Sequence, residues 1–275
     1  PAPCADLLAT MPLELRGPLD GMAMTGTFGA RARAAIDLAA PPGEGVALDV
    51  DLANGCEVTA EPPAADVTLL ATARHPDGWL DLEHAPSHVA EAFIAAEDAR
   101  FFDHHGFDGK QIARSLEIDL RDHKLERGGS TISQQLVKNV YLTQRRSLDR
   151  KIQEAVLTWR LEARVGKRTI LERYLNLIEL GPRVSGVAAA ARYWFDETPH
   201  DLTLHQAAFL AALTSEPQTM SRRVRHAGGL DPESAARVDV VLRAMRSDGF
   251  IDHAELERGR DAGMHFAATA LAKDD

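Results

Sequence analysis

At 275 residues the chain is long enough for a main domain plus an accessory one, with the composition of an ordinary globular protein and ample length for a core. Its net charge of −10 argues against a general nucleic-acid binder. The charge is uneven: between Lys110 and Leu175 fifteen Lys and Arg stand against eight Asp and Glu, so an anionic ligand would be drawn to that segment. No apolar run approaches the roughly 18 residues of a membrane span, and no signal-peptide pattern is present.

Residues 1 to about 75 read as β. Val46-Ala47-Leu48-Asp49-Val50-Asp51-Leu52 alternates strictly, and Met22, Met24, Phe28, Ile36 and Leu38 suggest further strands. Pro41-Pro42-Gly43 and Ala53-Asn54-Gly55 supply turns, so a small antiparallel sheet packed on one face is expected. Nothing in it carries chemistry. The two cysteines, Cys4 and Cys56, have no His or Asp at ligand spacing; a disulfide in an oxidising compartment or two buried thiols would account for them.

From Ser87 the period turns helical. Val89, Ala92, Phe93 and Ala96 form a buried stripe that runs into Glu97-Asp98-Ala99-Arg100-Phe101-Phe102-Asp103-His104-His105-Gly106: a carboxylate pair at a helix end, aromatics that can wall off water, then a glycine. Phe107 to Arg127 is charge-rich, with Ile112, Leu116 and Leu120 as a narrow apolar stripe. Gly128-Gly129 breaks the chain, and Ser130 is placed to cap the next helix. There Thr131, Gln135 and Lys138 share a polar face opposite Ile132, Leu136 and Val140. It reads either as a simple amphipathic helix or as one whose N-terminal amides hold phosphate and sugar oxygens.

A further helix from about Leu148 places Arg150 and Lys151 within one turn of Glu154, with Ile152, Val156, Trp159 and Ala163 as its expected buried stripe. A third, Thr169 to about Leu180, carries Ile170, Tyr174 and Ile178 and is expected to stop at Gly181-Pro182. Its Glu172, Tyr174 and Asn176 read as structural. Val187–Tyr193 is alanine-rich, Thr203-Leu204-His205-Gln206 is a capping box opening a helix through Leu213, and Asp231-Pro232 starts another to about Ser247.

Four blocks follow in order: Glu97–Gly106; Gly128-Gly129-Ser130-Thr131-Ile132-Ser133-Gln134-Gln135 with Lys138-Asn139; Arg150-Lys151-Ile152-Gln153-Glu154; and Glu172-Arg173-Tyr174-Leu175-Asn176. This series resembles the peptidoglycan glycosyltransferases, the polymerase domain of class A penicillin-binding proteins and of their monofunctional relatives. The resemblance runs from about Trp79 to about Pro217, with a weaker echo to about Ala262. It implies an α+β chain: a mainly α-helical, lysozyme-like glycosyltransferase domain over 76–275, preceded by a small antiparallel β accessory domain over 1–75.

By the same resemblance, Glu97 is the base that deprotonates the acceptor 4-hydroxyl. Glu154 completes the catalytic pair, orienting the cations or binding a divalent cation, Mg²⁺ or Mn²⁺. Lys138, Arg146, Arg150 and Lys151 would surround the donor pyrophosphate. Ser130, Thr131, Gln134 and Gln135 would line the groove between the substrates, with Asp98, Phe101 and His104 also in the substrate-binding set. The stretch from Phe107 to Arg127 is a mobile flap in that family, although its charges fit a solvated surface helix equally well.

The implied partners are the lipid-linked precursor, the growing glycan strand, the membrane surface through an N-terminal anchor upstream of Pro1, and a cell-wall synthesis protein meeting the N-terminal domain. The implied location is periplasmic, at the inner membrane. Three positions depart from the pattern: Ser133 where Thr is common, Ser185 where an aromatic is usual, and Asp196 where glycine is expected. Two other functions compete, a lysozyme-like lytic glycosidase using Glu97 as acid and a non-catalytic lipid-saccharide-binding scaffold.

Overall fold

The structure, a computed structural model, describes the chain except residues 38, 41–44, 73–77, 113–128, 143–147, 262 and 273–275. Leu38, the Pro41-Pro42-Gly43 turn, Arg146 and the stretch carrying Leu116 and Leu120 therefore lie outside the described residues.

The chain opens with strand β1 (Ala2–Pro3), helix α1 (Cys4–Ala9) and strands β2 (Ala23–Thr25), β3 (Thr27–Ile36), β4 (Val46–Asn54) and β5 (Glu57–Ala60). Helices α2 (Ser87–Glu97), α3 (Ile132–Tyr141), α4 (Leu148–Arg164) and α5 (Lys167–Leu177) follow. After a hairpin of β6 (Glu179–Gly181) and β7 (Val184–Ser185) come α6 (Val187–Phe195), α7 (Leu204–Leu213), α8 (Pro217–Ala227), α9 (Pro232–Ser247) and α10 (His253–Asp261). The class is α+β, mainly helical with small antiparallel sheets. There are two compact units, Pro1–Leu69 with Asp103–Val165, and Leu70–Phe102 with Gly166–Asp275.

In the first unit the expected single sheet is two: a three-stranded sheet ordered β1-β3-β4 and a two-stranded pairing of β2 with β5. The break falls where Gly26 meets Gly55. Gly26 has φ +88°, and a Cβ there would lie 2.0 Å from the Gly55 carbonyl oxygen, so the two segments close on each other only through glycine. Beside this break Cys56 is disulfide-bonded to Cys4, with the two Cα atoms 5.7 Å apart. At this end Cys4, Leu8, Met11, Leu19, Met22 and Met24 are buried, and Ile36 at the far end of β3 is 53% exposed.

Residues 1–69 are joined to the helices of the same unit by directed bonds. Gln153 of α4 donates to the Leu15 carbonyl at 2.5 Å, and Tyr141 of α3 donates to the Asp66 carbonyl at 3.2 Å. Burial, with Asp66 and Glu61 nearby, pushes the Tyr141 phenol up to about 12, which keeps it a donor. Arg160 of α4 forks onto Glu61, Nε to Oε1 at 3.1 Å and Nη2 to Oε2 at 2.7 Å. Arg160 is 5% exposed, and a pair of this kind broken from one side costs about 3–5 kcal/mol, because the remaining charge stays buried.

In the second unit α7 is buried without interruption from Gln206 to Leu213, all but its first two residues, as its all-round apolar sequence requires. It packs against α2 and α9. The expected Thr203–Gln206 capping box is present, and Asp231 caps α9 through its side chain. Trp194 and Phe195 of α6, Phe209 of α7 and Phe266 form one aromatic cluster with centroids 5.1–6.0 Å apart. α5 stops at Leu177, three residues before the expected end, because the chain from Glu179 pairs with β7; Gly181-Pro182 lies at the hairpin turn. Asp196 ends α6 with φ 58° in the left-handed region, which gives a physical reason for glycine being expected there and for Asp being an acceptable substitute.

Candidate active site

Within the second unit, Val89, Ala92, Phe93 and Ile94 bury one face of α2 and bring Glu97 to its last position. Glu97 is partly exposed, whereas the next residue, Asp98, is 1% exposed, so the pair divides into one accessible carboxylate and one interior one. A hydroxyl from another helix holds Glu97: Thr214, at the C-terminus of α7, donates to Glu97 Oε1. Behind α2, Tyr174 of α5 is fully buried with its ring edge-on to Phe93, centroids 6.4 Å apart. Burial first, then the charges of Glu97 and Asp98, hold its phenol well above the usual range.

The aromatics after Glu97 divide in the same way. Phe101 is buried, its N–H donates to the Asp98 carbonyl at 2.8 Å, and the Lys167 ammonium lies 4.2 Å from its ring centroid. Phe102 is 56% exposed, so of the two expected to exclude water only Phe101 is interior. The fourth motif is structural, as its sequence suggested. Glu172 accepts from Trp79 Nε1 at 3.0 Å and from the Leu82 N–H at 3.2 Å, while Asn176 bonds both to the N–H and to the carbonyl of Leu80.

The first unit carries the remaining motifs on a chain of buried hydrogen bonds. The cap of α3 is Thr131, not Ser130: Thr131 Oγ1 accepts from the Gln134 N–H while Gln134 Oε1 accepts from the Thr131 N–H, a reciprocal box that Ser130 lacks. The same Thr131 hydroxyl donates to the Gly106 carbonyl at 2.7 Å. Gln134 Nε2 donates to Glu154 Oε1 at 3.0 Å, and Lys151 donates to that oxygen as well. Gly106 itself has φ +92°, and a Cβ there would lie 2.9 Å from Thr158 and 3.1 Å from Glu162 on α4. His104 is buried and accepts the Gly106 N–H on Nδ1 at 3.1 Å, which closes the loop.

Thr131, Gln134, Gln135 and Glu154 are thus interior, each 9% exposed or less, and the first two together with Glu154 brace the helix ends. Lys151 stays reachable with 54% of its side chain exposed; Lys138 is exposed, and Ser130 and Arg150 are half-buried. Arg146 lies outside the described residues. Of the expected apolar stripe of α4 only Val156 is buried: Ala163 is exposed and Ile152 and Trp159 are half-buried, while Gln153, Glu154 and Arg160 are buried. Each of those three polar side chains has a hydrogen-bond partner from elsewhere in the chain, the Leu15 carbonyl, Gln134 and Glu61 respectively, which an apolar pattern does not show.

Among the described residues no group of three or more His, Cys, Asp or Glu could hold a metal ion. Glu154, the expected ligand, already receives Lys151 and Gln134 on one oxygen. That donor set does not fit a metal held by the protein alone.

The second unit thus offers an accessible glutamate at a buried helix end, and the first unit a lysine set on a buried carboxylate. The family model described as Transglycosylase matches residues 66–246, and the chain belongs to that family, the peptidoglycan glycosyltransferase domains; it is a glycosyltransferase. A biosynthetic peptidoglycan transglycosylase of Acinetobacter baumannii is 46% identical over 169 residues, 62% of this chain and 73% of the relative. Penicillin-binding protein 1F of Bacillus subtilis is 37% identical over 188 residues, 68% of this chain and 26% of the relative. The crystal structure of penicillin-binding protein 1A from Haemophilus influenzae covers 69% of this chain and 18% of its own at 21% identity, with a TM-score of 0.36 that is too low to support a comparison of folds. Residues 1–65 fall outside the family match.

Proposed function

We propose that the protein polymerises peptidoglycan glycan strands, joining lipid-linked disaccharide-peptide units by β-1,4 transfer with inversion and release of the lipid pyrophosphate. The observation that carries this reading is the state of Glu97, an accessible carboxylate held by a hydroxyl at the end of a buried helix in a transglycosylase-family chain. In the reaction, Glu97 takes the proton of the acceptor 4-hydroxyl as its oxygen attacks the donor's anomeric carbon. The bond from that carbon to the pyrophosphate oxygen breaks on the opposite face, and its electron pair leaves with the pyrophosphate.

The departing charge is met by Lys138, Arg150 and Lys151, with Arg146 as a fourth cation. Glu154 takes no proton in this scheme. Buried and bonded to Lys151, it fixes where that ammonium stands. Mg²⁺ or Mn²⁺ would be held by the pyrophosphate oxygens and not by Glu154, would supply further charge neutralisation there, and no step runs through it.

The Cys4–Cys56 disulfide supports an extracytoplasmic site of action. No helix among the described residues is long and apolar enough to cross a membrane. For residues 1–65, outside the family match, the role we propose is to meet another cell-wall synthesis protein.

Lys151→Gln separates the charge from its hydrogen bond, since a Gln amide can still donate to Glu154. Donor affinity, measured by titration with the lipid-linked disaccharide-peptide, should fall about tenfold at low ionic strength, and the deficit should shrink as salt is added. Unchanged affinity at low salt would remove Lys151 from the donor site.

A further inference from the structure

Thr214 belongs to none of the four motifs, yet its hydroxyl, just past the end of α7, bonds to Glu97. It follows the last residue of α7 with φ −56° and ψ −34°, a helical conformation that points its side chain back along the helix. There its hydroxyl reaches two acceptors, Glu97 Oε1 and the Ala211 carbonyl, the latter at 2.6 Å. The neighbouring Ser215 makes the corresponding bond to the Ala212 carbonyl at 3.2 Å, so a back-bond to the helix needs no more than a hydroxyl at this end. The contact with Glu97 is the additional feature at Thr214.

A hydroxyl has one hydrogen and two acceptor lone pairs, so Thr214 can serve its two neighbours in two ways. With Glu97 ionised, the O–H donates to Oε1. With Glu97 carrying a proton on that oxygen, the threonine O–H turns to the Ala211 carbonyl and its oxygen accepts from the carboxyl. The same carboxyl oxygen keeps a hydrogen bond in both states, and the plane of the group need not change when the proton arrives. Branching at Cβ limits the side chain to few rotamers, which adds to the fixity.

We infer that Thr214 is a positioning residue for the general base. It fixes the Glu97 carboxylate, and through it the direction from which the acceptor hydroxyl must approach, before and after proton transfer. This rests on the reading of Glu97 as the base. It does not require Thr214 to touch either substrate.

The test is a set of four folded variants, each checked by thermal melting: Thr214→Val, Thr214→Ser, Glu97→Gln, and Glu97→Gln with Thr214→Val. Valine keeps the shape and loses the hydroxyl. Its kcat for polymerisation should fall about tenfold with KM within about twofold of the parent, as for loss of one hydrogen bond to a charged group acting on the chemical step. Serine should restore kcat to within about threefold. In the Glu97→Gln background the valine change should add nothing, because the group it positions is no longer a base.

If Glu97→Gln loses activity while Thr214→Val keeps the parental kcat, the base stands and the positioning role is overturned. The positioning role fails equally if Ser is as impaired as Val, or if the loss in Val lies in KM. If Glu97→Gln is itself fully active, the reading of the base fails, and the inference fails with it for that separate reason.

Discussion

Glu97→Gln should lower polymerisation by about 10²–10⁴-fold while leaving the fold and donor binding intact. Glutamine keeps the size of the side chain and can still accept from Thr214 on its amide oxygen, so the contact between α2 and α7 survives. It cannot take a proton from the acceptor hydroxyl at any useful rate. Donor affinity should persist because Lys138, Arg146, Arg150 and Lys151 are untouched. The contrast between lost turnover and retained binding is the informative part, since a residue needed only for folding would lose both. A folded Glu97→Gln protein that polymerises at the parental rate would rule out the mechanism.

Removing the disulfide should give the largest loss of stability. The bond closes a sequence separation of 52 residues, for which chain entropy predicts a contribution of about 4 kcal/mol at 25 °C. It acts where Cys4 is fully buried and Leu8, Leu19, Met22 and Met24 are buried as well. Cys56→Ser should therefore lower the denaturant midpoint of the first unit, and reduction of the parent should reproduce the shift. Equal midpoints with and without reductant would show that the cross-link does not constrain the unfolded chain as proposed.

The residues that carried the family assignment were legible because they are local. α2 announces itself by a stripe of which Val89, Ala92 and Phe93 are buried and Ala96 is half-buried, and by Glu97 at its end, and the Thr203–Gln206 box and the Asp231 cap are short-range patterns. What was not legible depends on partners far along the chain. Thr214 lies 117 positions from Glu97, and nothing local in Leu213-Thr214-Ser215 marks one hydroxyl as different from the other. The buried face of α4 was misjudged because Gln153, Glu154 and Arg160 become interior only when Leu15, Gln134 and Glu61 meet them. Strands β2, β3 and β4 were anticipated, whereas β1, β5 and the helix α1 within the region read as β were not, and the division into two pairings depends on the close approach of Gly26 to Gly55, which neither glycine reveals alone. Burial likewise sorted candidates that the sequence treated alike: Asp98 from Glu97, Phe101 from Phe102, and the bracing Thr131 and Gln134 from the exposed Lys138.

Whether the chain builds glycan, cuts it or merely holds it is decided by incubating the protein with lipid-linked disaccharide-pentapeptide and sizing the products. A polymerase that works through Glu97 should give long, lysozyme-sensitive β-1,4 strands with matching release of lipid pyrophosphate, and should not shorten finished glycan supplied in parallel. Short sugars released from finished glycan, or stable binding of the precursor by folded protein without any polymer, would refute the assignment.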